Sequence, residues 1–148
     1  VLVAAILLAK ASYRRGYPIL LSVVSGARIH GEPAAIEDER AAVELVGQRG
    51  LEEATPHLVR RAWGVTRWFR DECAFYARIS LARLGHARAE IPRELRSKRS
   101  EVLFGAIVSA GRARMVEARD ILEALPASSV DPELRREAFA ALSEEKWP

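Results

Sequence analysis

The sequence predicts an all-α chain built as a right-handed stack of about four helical hairpins, and three observations carry that expectation. Apolar residues recur at helical spacing, with almost no strand-type alternation, over most of the 148 residues. Capping residues, prolines and glycines punctuate the chain at short intervals, as they do between short helices. The punctuation itself repeats, which marks an array of like units more than a bundle around one core.

Taken in order, residues 2–14 open the chain as an apolar helix, and Tyr17-Pro18 starts the next. Gly31-Glu32-Pro33 precedes a helix through Val46, with Glu37, Asp38 and Glu39 in its early turns, where the helix dipole favours negative charge. Further helices are expected at 51–62, 67–84 and 88–97. Ser100-Glu101 opens one that reaches Ala110, and another spans 114–125. Asp131-Pro132-Glu133 reads as an N-cap, a proline at the first helical position and an acid in the first turn of a helix to Glu145. Each segment is too short to stand alone in water, so each depends on its neighbours.

One column holds Gly47, Gly85 and Gly111. It aligns Val43, Leu81 and Ile107 four residues earlier and Val46, Leu84 and Ala110 one residue earlier. After the glycines come Leu51, Ala89 and Met115, then Ala54, Pro92 and Ala118, then Leu58, Leu95 and Leu122. These are the inward stripe of a first helix, a glycine turn and the inward stripe of a second. Phe139 and Leu142 continue the pattern around Ser143, with unit spacings of 38, 26 and 32. The expected core is therefore Leu81, Leu84, Ile107, Leu122 and Phe139.

The stretch Leu81-Ala-Arg-Leu-Gly-His-Ala-Arg-Ala-Glu-Ile-Pro92 resembles the turn of bacterial HEAT-like repeats, including those of the phycobilin lyase type. Ser109-Ala-Gly-Arg-Ala-Arg-Met-Val-Glu-Ala118 resembles it more loosely. The resemblance implies one HEAT-like α-solenoid domain over 1–148, clearest at 71–145, looser at 37–62 and silent on 1–32. It implies a scaffold architecture, and that architecture also hosts lyases, nucleic-acid binders and glycosylases.

Hydrophobic residues make up 49% and charged residues 29%, which places the chain among folded globular proteins. The net charge of +3 conceals a division. From Glu32 to Glu53 seven acids meet two bases, a balance of −5; from Arg60 to Arg99 eleven bases meet four acids, a balance of +7. The single cysteine, Cys73, excludes an intrachain disulfide and fits a reducing, cytoplasmic setting. The apolar run at 1–9 is too short to span a bilayer, which takes about 20 residues.

One segment, Arg60 to Arg78, holds two of the three tryptophans and five arginines. Its candidate binding residues are Arg60, Arg61, Trp63, Arg67, Trp68 and Arg70, since arginines beside exposed rings clamp phosphates while the rings stack. The alternative is that Trp68, Phe75 and Tyr76 pack between hairpins and the arginines pair with Asp71, Glu72 and the acidic 32–53 region. HEAT-like glycosylases for alkylated bases use tryptophans and an aspartate, to which Trp68 and Asp71 correspond in type. His30, His57 and His86 are far apart in sequence, and none stands at ligand spacing from another or from Cys73. No metal, cofactor or catalytic set is expected. The function expected is a non-enzymatic module for a protein or peptide partner, with a nucleic-acid-binding module as the alternative and a lyase- or glycosylase-like enzyme third.

Overall fold

A computed structural model of the chain describes residues 1–63, 65, 66, 69–86, 89–126, 131–133 and 136, with the backbone alone given at 65, 66, 69, 70 and 101. Contacts divide the chain into two compact units, Val1–Leu84 and Gly85–Pro148. The first contains α1 (Leu2–Lys10), α2 (Tyr17–Ser25), α3 (Ile36–Gln48), α4 (Thr55–Trp63) and α5 (Ala74–Arg83). The second contains α6 (Glu90–Glu94), α7 (Ser100–Arg112) and α8 (Arg119–Glu123). The fold class is all-α, and the described residues hold one small departure from it.

That departure lies where a helix is expected from residue 67. β1 (Val65–Thr66) and β2 (Phe69–Arg70) form an antiparallel pair, with Val65 opposite Arg70 and Thr66 opposite Phe69. The expectation of a helix over 67–84 is corrected to this extent, with α5 starting at Ala74. Val65 and Thr66 are β-branched and favour extended backbone. Asp71 then fixes where α5 can start: its Oδ1 accepts the Cys73 N–H at 2.7 Å, and its carbonyl accepts the Ala74 N–H at 2.9 Å.

The helices of the first unit are joined by a recurring corner. After α1 and α3 the chain passes through a left-handed residue, Ser12 at φ 64° and Gly50 at φ 67°, and then a 3₁₀ turn, Arg14–Gly16 and Glu52–Ala54. The second unit contains the same corner after α7, with Arg114 at φ 51° and the 3₁₀ turn Val116–Ala118. The hydrogen bonds agree bond for bond. The N–H groups of Tyr13, Leu51 and Met115 donate to Leu8, Val46 and Ala110, and those of Ser12, Gly50 and Arg114 donate to Ala9, Gly47 and Gly111. This is the Schellman arrangement, which satisfies the last carbonyls of each helix. Ser12 and Arg114 adopt a conformation that costs a side-chain-bearing residue roughly 1–2 kcal/mol, and at Gly50 the missing Cβ removes that cost.

The corner corrects the repeat register. Gly47 and Gly111 lie inside their helices, whereas Gly85, at φ 82°, is itself the left-handed residue after α5. Gly85 therefore corresponds to Ser12, Gly50 and Arg114, and the spacings become 38, 35 and 29. Residues 1–25, which match no unit by sequence, hold two helices joined by the same corner. The cause of the misreading is physical: Gly47 is a close-approach glycine, at which a Cβ would come within 2.6 Å of Ser80 Cα on α5.

In the first unit α3 packs against α1, α2 and α5, and α4 packs against α2 and α5. Leu20, Val24, Val43, Val46, Leu58, Ile79 and Leu81 are fully buried among them. In the second unit α6 packs on α7, and Leu95, Ile107, Met115 and Leu122 are buried. Of the expected core, Leu81, Ile107 and Leu122 are buried, and Phe139 lies outside the described residues. Leu84 is corrected to half-buried, because it sits past the end of α5 as its C-cap. The cap expected at Asp131 is present: its Oδ1 accepts the Glu133 N–H at 2.7 Å.

Leu81→Ala should lower unfolding free energy by about 2–5 kcal/mol, as a full-burial truncation does, and Leu84→Ala by less than half as much. Urea unfolding followed by circular dichroism measures both, and equal losses would contradict the register given by the corner.

Candidate functional site

The arginines of the 60–78 segment divide by burial. Arg61, near the end of α4, is 7% exposed, and its guanidinium is enclosed by three other elements. Nε donates to the Val24 carbonyl at 2.7 Å, and Nη2 donates to the Val23 carbonyl at 3.2 Å and to Glu39 Oε1. Nη1 donates to Asp71 Oδ2 at 3.1 Å and Oδ1 at 3.3 Å. Each of the three guanidinium nitrogens therefore has at least one acceptor. Burial opposes the charge, but the Glu39 hydrogen bond and the Asp71 and Glu39 carboxylates outweigh it and hold the pKa above its ordinary value.

Arg60, one residue earlier, is exposed and donates to the Ser25 carbonyl at 2.6 Å. Together the two arginines cap the C-terminal end of α2, where the helix dipole favours positive charge. Arg61 thus faces the interior, away from any phosphate in solution. Trp63 is 42% exposed, with the Arg78 guanidinium 5.9 Å from its ring centroid. Arg67 and Trp68 lie outside the described residues, and of Arg70 only the backbone, in β2, is described. Further pairs join the basic segment to the acidic one: Arg40–Glu72 at 3.7 Å, on the surface, and Arg83–Glu44 at 3.3 Å.

The Asp71 carboxylate, grouped with Trp68 in the glycosylase reading, accepts from the Arg61 guanidinium and the Cys73 N–H. Cys73 is fully buried, and burial together with the nearby Glu39 carboxylate pushes its thiol up to about 11. This is an inert, protonated thiol at neutral pH. Among the described residues no group of three histidine, cysteine, aspartate or glutamate side chains is placed to hold a metal ion. Nor is any helix long and apolar enough to cross a membrane.

The second unit holds a concavity of about 760 Å³ that sequence reasoning did not single out. Its apolar wall includes Leu95, Leu103, Ile121, Leu125 and Pro126, and Arg96, Ser97, Lys98 and Asp120 supply the polar part. Arg96 and Lys98 are exposed, and among the described residues neither side chain has an ion-pair partner. The signal was present as Leu95-Arg-Ser-Lys-Arg-Ser100, a basic link between apolar helices, but only folding brings α8 opposite it. In comparisons with protein-family models, curated proteins and solved structures, no match to the chain is found.

Arg61→Ala should cost about 3–5 kcal/mol, because it strands two carboxylates and two carbonyls that are largely removed from water. Arg60→Ala, at an exposed position, should cost less than about 1 kcal/mol. Chemical denaturation of the two variants compares them directly. Cys73 gives a second check. Its folded pKa, about 11, lies above its ordinary 9.0, so the unfolded chain releases the proton first. Its contribution to stability is complete below pH 9 and is lost as pH rises through 11. Cys73→Ala should flatten the fall in stability measured by urea titration across that window.

Proposed function

We propose that the chain is a non-enzymatic interaction module, a HEAT-like right-handed stack of helical hairpins that binds a protein or peptide partner. The observation that carries the reading is the concavity of the second unit, apolar within and bordered by two cations, Arg96 and Lys98, that have no ion-pair partner among the described residues. Its volume falls in the range of about 300–1,000 Å³ typical of sites that enclose a compact ligand, and it suits a few apolar side chains of a peptide. Arg96 and Lys98 favour a segment with acidic residues beside its apolar anchors. The three matching corners support the stacked-hairpin architecture, and the internal use of Arg61 and Asp71 weakens the nucleic-acid and glycosylase readings.

A helical peptide with leucines four residues apart and glutamates on either side is the probe, titrated by fluorescence anisotropy at about 150 mM salt. Binding should be at least tenfold weaker for Leu125→Glu, and weaker and less salt-dependent for Lys98→Glu, while Arg60→Glu binds as the parent does. Equal affinity for the parent and Leu125→Glu would sink the reading. Submicromolar binding of a duplex oligonucleotide at that salt would favour the nucleic-acid module instead.

A further inference from the structure

The concavity of the second unit has two walls, and they differ in charge. One wall is the link between α6 and α7 with the start of α7, and it brings Arg96 and Lys98. The other is α8 with the residues after it, and it brings Asp120 beside the apolar Ile121 and Leu125. Asp120 is exposed, as Arg96 and Lys98 are. Among the described residues none of these three side chains has an ion-pair partner, so an acid and two bases share one concavity without neutralising one another.

Their places along α8 keep them apart. Two helices joined by a short corner run antiparallel, so the end of α8 lies beside the start of α7, and Leu125 and Ser100 line the same concavity. Asp120 stands in the first turn of α8, five residues before Leu125, which is roughly 7 Å back along the helix axis. The cations are therefore at one end of the apolar wall and the carboxylate is toward the other.

We infer that the segment bound here is bipolar, with an acidic residue on one side of its apolar anchors, set against Arg96 and Lys98, and a basic residue on the other, set against Asp120. This rests on the concavity being the peptide site. Selection is by sign: an acid placed near Asp120 meets a like charge, whereas a base there completes a pair. In a helical peptide with leucines four residues apart, the residues just outside the leucines are six apart, about 9 Å along the axis. That separation is close to the distance from Asp120 to the far end of the wall. Asp120 is thus a specificity-determining residue, and a segment with flanks of one sign satisfies only one end of the site.

Three helical peptides that differ only in their flanking residues, Glu and Glu, Glu and Lys, or Lys and Lys, test this by fluorescence anisotropy with the full chain. At about 50 mM salt the Glu–Lys peptide should bind about three- to tenfold more tightly than the Glu–Glu peptide, and Lys–Lys more weakly than either. The gap should narrow at about 150 mM, because exposed pairs are screened. Asp120→Asn should remove the gap and Asp120→Lys should reverse it, with circular dichroism and melting temperature as in the parent. Equal affinity of the parent for the Glu–Lys and Glu–Glu peptides, or a gap that persists in Asp120→Lys, would overturn this inference and leave the peptide site standing. Binding of none of the three, or binding undiminished by Leu125→Glu, would overturn both.

Discussion

A guanidinium that is 7% exposed must find an acceptor for every N–H, and the first unit is arranged around that demand. Arg61 of α4 takes carbonyls from the end of α2, a carboxylate from the first turn of α3 and the Asp71 carboxylate that opens α5. Removing a charge from water costs several kcal/mol and is offset only when the pairing is complete. The arrangement therefore tolerates little change in where these four elements meet. Glu39 and Asp71 are each about a quarter to a third exposed, so the network reaches solvent on its carboxylate side and its donors lie inside.

The corner does for the backbone what Arg61 does for the side chains. Each first helix leaves its last carbonyls without intrahelical donors, and a single left-handed residue turns the following N–H groups back onto them. Once that turn is made, the chain has only a short 3₁₀ segment before the next helix. Small residues follow from this geometry. Gly16, Ala54 and Ala118 end the three 3₁₀ turns and are all buried, and a Cβ at Gly16 would meet the Ala5 carbonyl oxygen at 2.4 Å.

The division of the basic residues has functional weight. The charge balance of +7 over 60–99 suggests a single cationic surface, yet its arginines serve different ends. Arg61 is internal, Arg60 caps α2, Arg83 pairs with Glu44, and Arg96 with Lys98 borders the concavity of the second unit. A sum of charges along a sequence carries no information about direction, whereas phosphate binding depends on it. The aromatic residues divide likewise: Phe75 meets Tyr76 edge to face at 5.5 Å, and Trp63 stays partly in solvent.

The sequence by itself determined the helical class, the acidic first turn of α3, the cap at Asp131 and the burial of Leu81, Ile107 and Leu122. Each of these depends on local periodicity or on a cap reached within a few residues, which linear spacing encodes. It also held the pairing of the two units 64 residues apart, visible as Leu51 with Met115 and Ala54 with Ala118. The fold alone decided that Ser12 and Arg114 do the work of a glycine, that Gly47 serves a helix crossing and no turn, and that Val65–Thr66 pairs with Phe69–Arg70. It alone showed that Arg61 points inward. The reason is common to all of them: a residue's type limits what it can do, but whether a side chain meets water, a carbonyl or another helix depends on segments dozens of residues away.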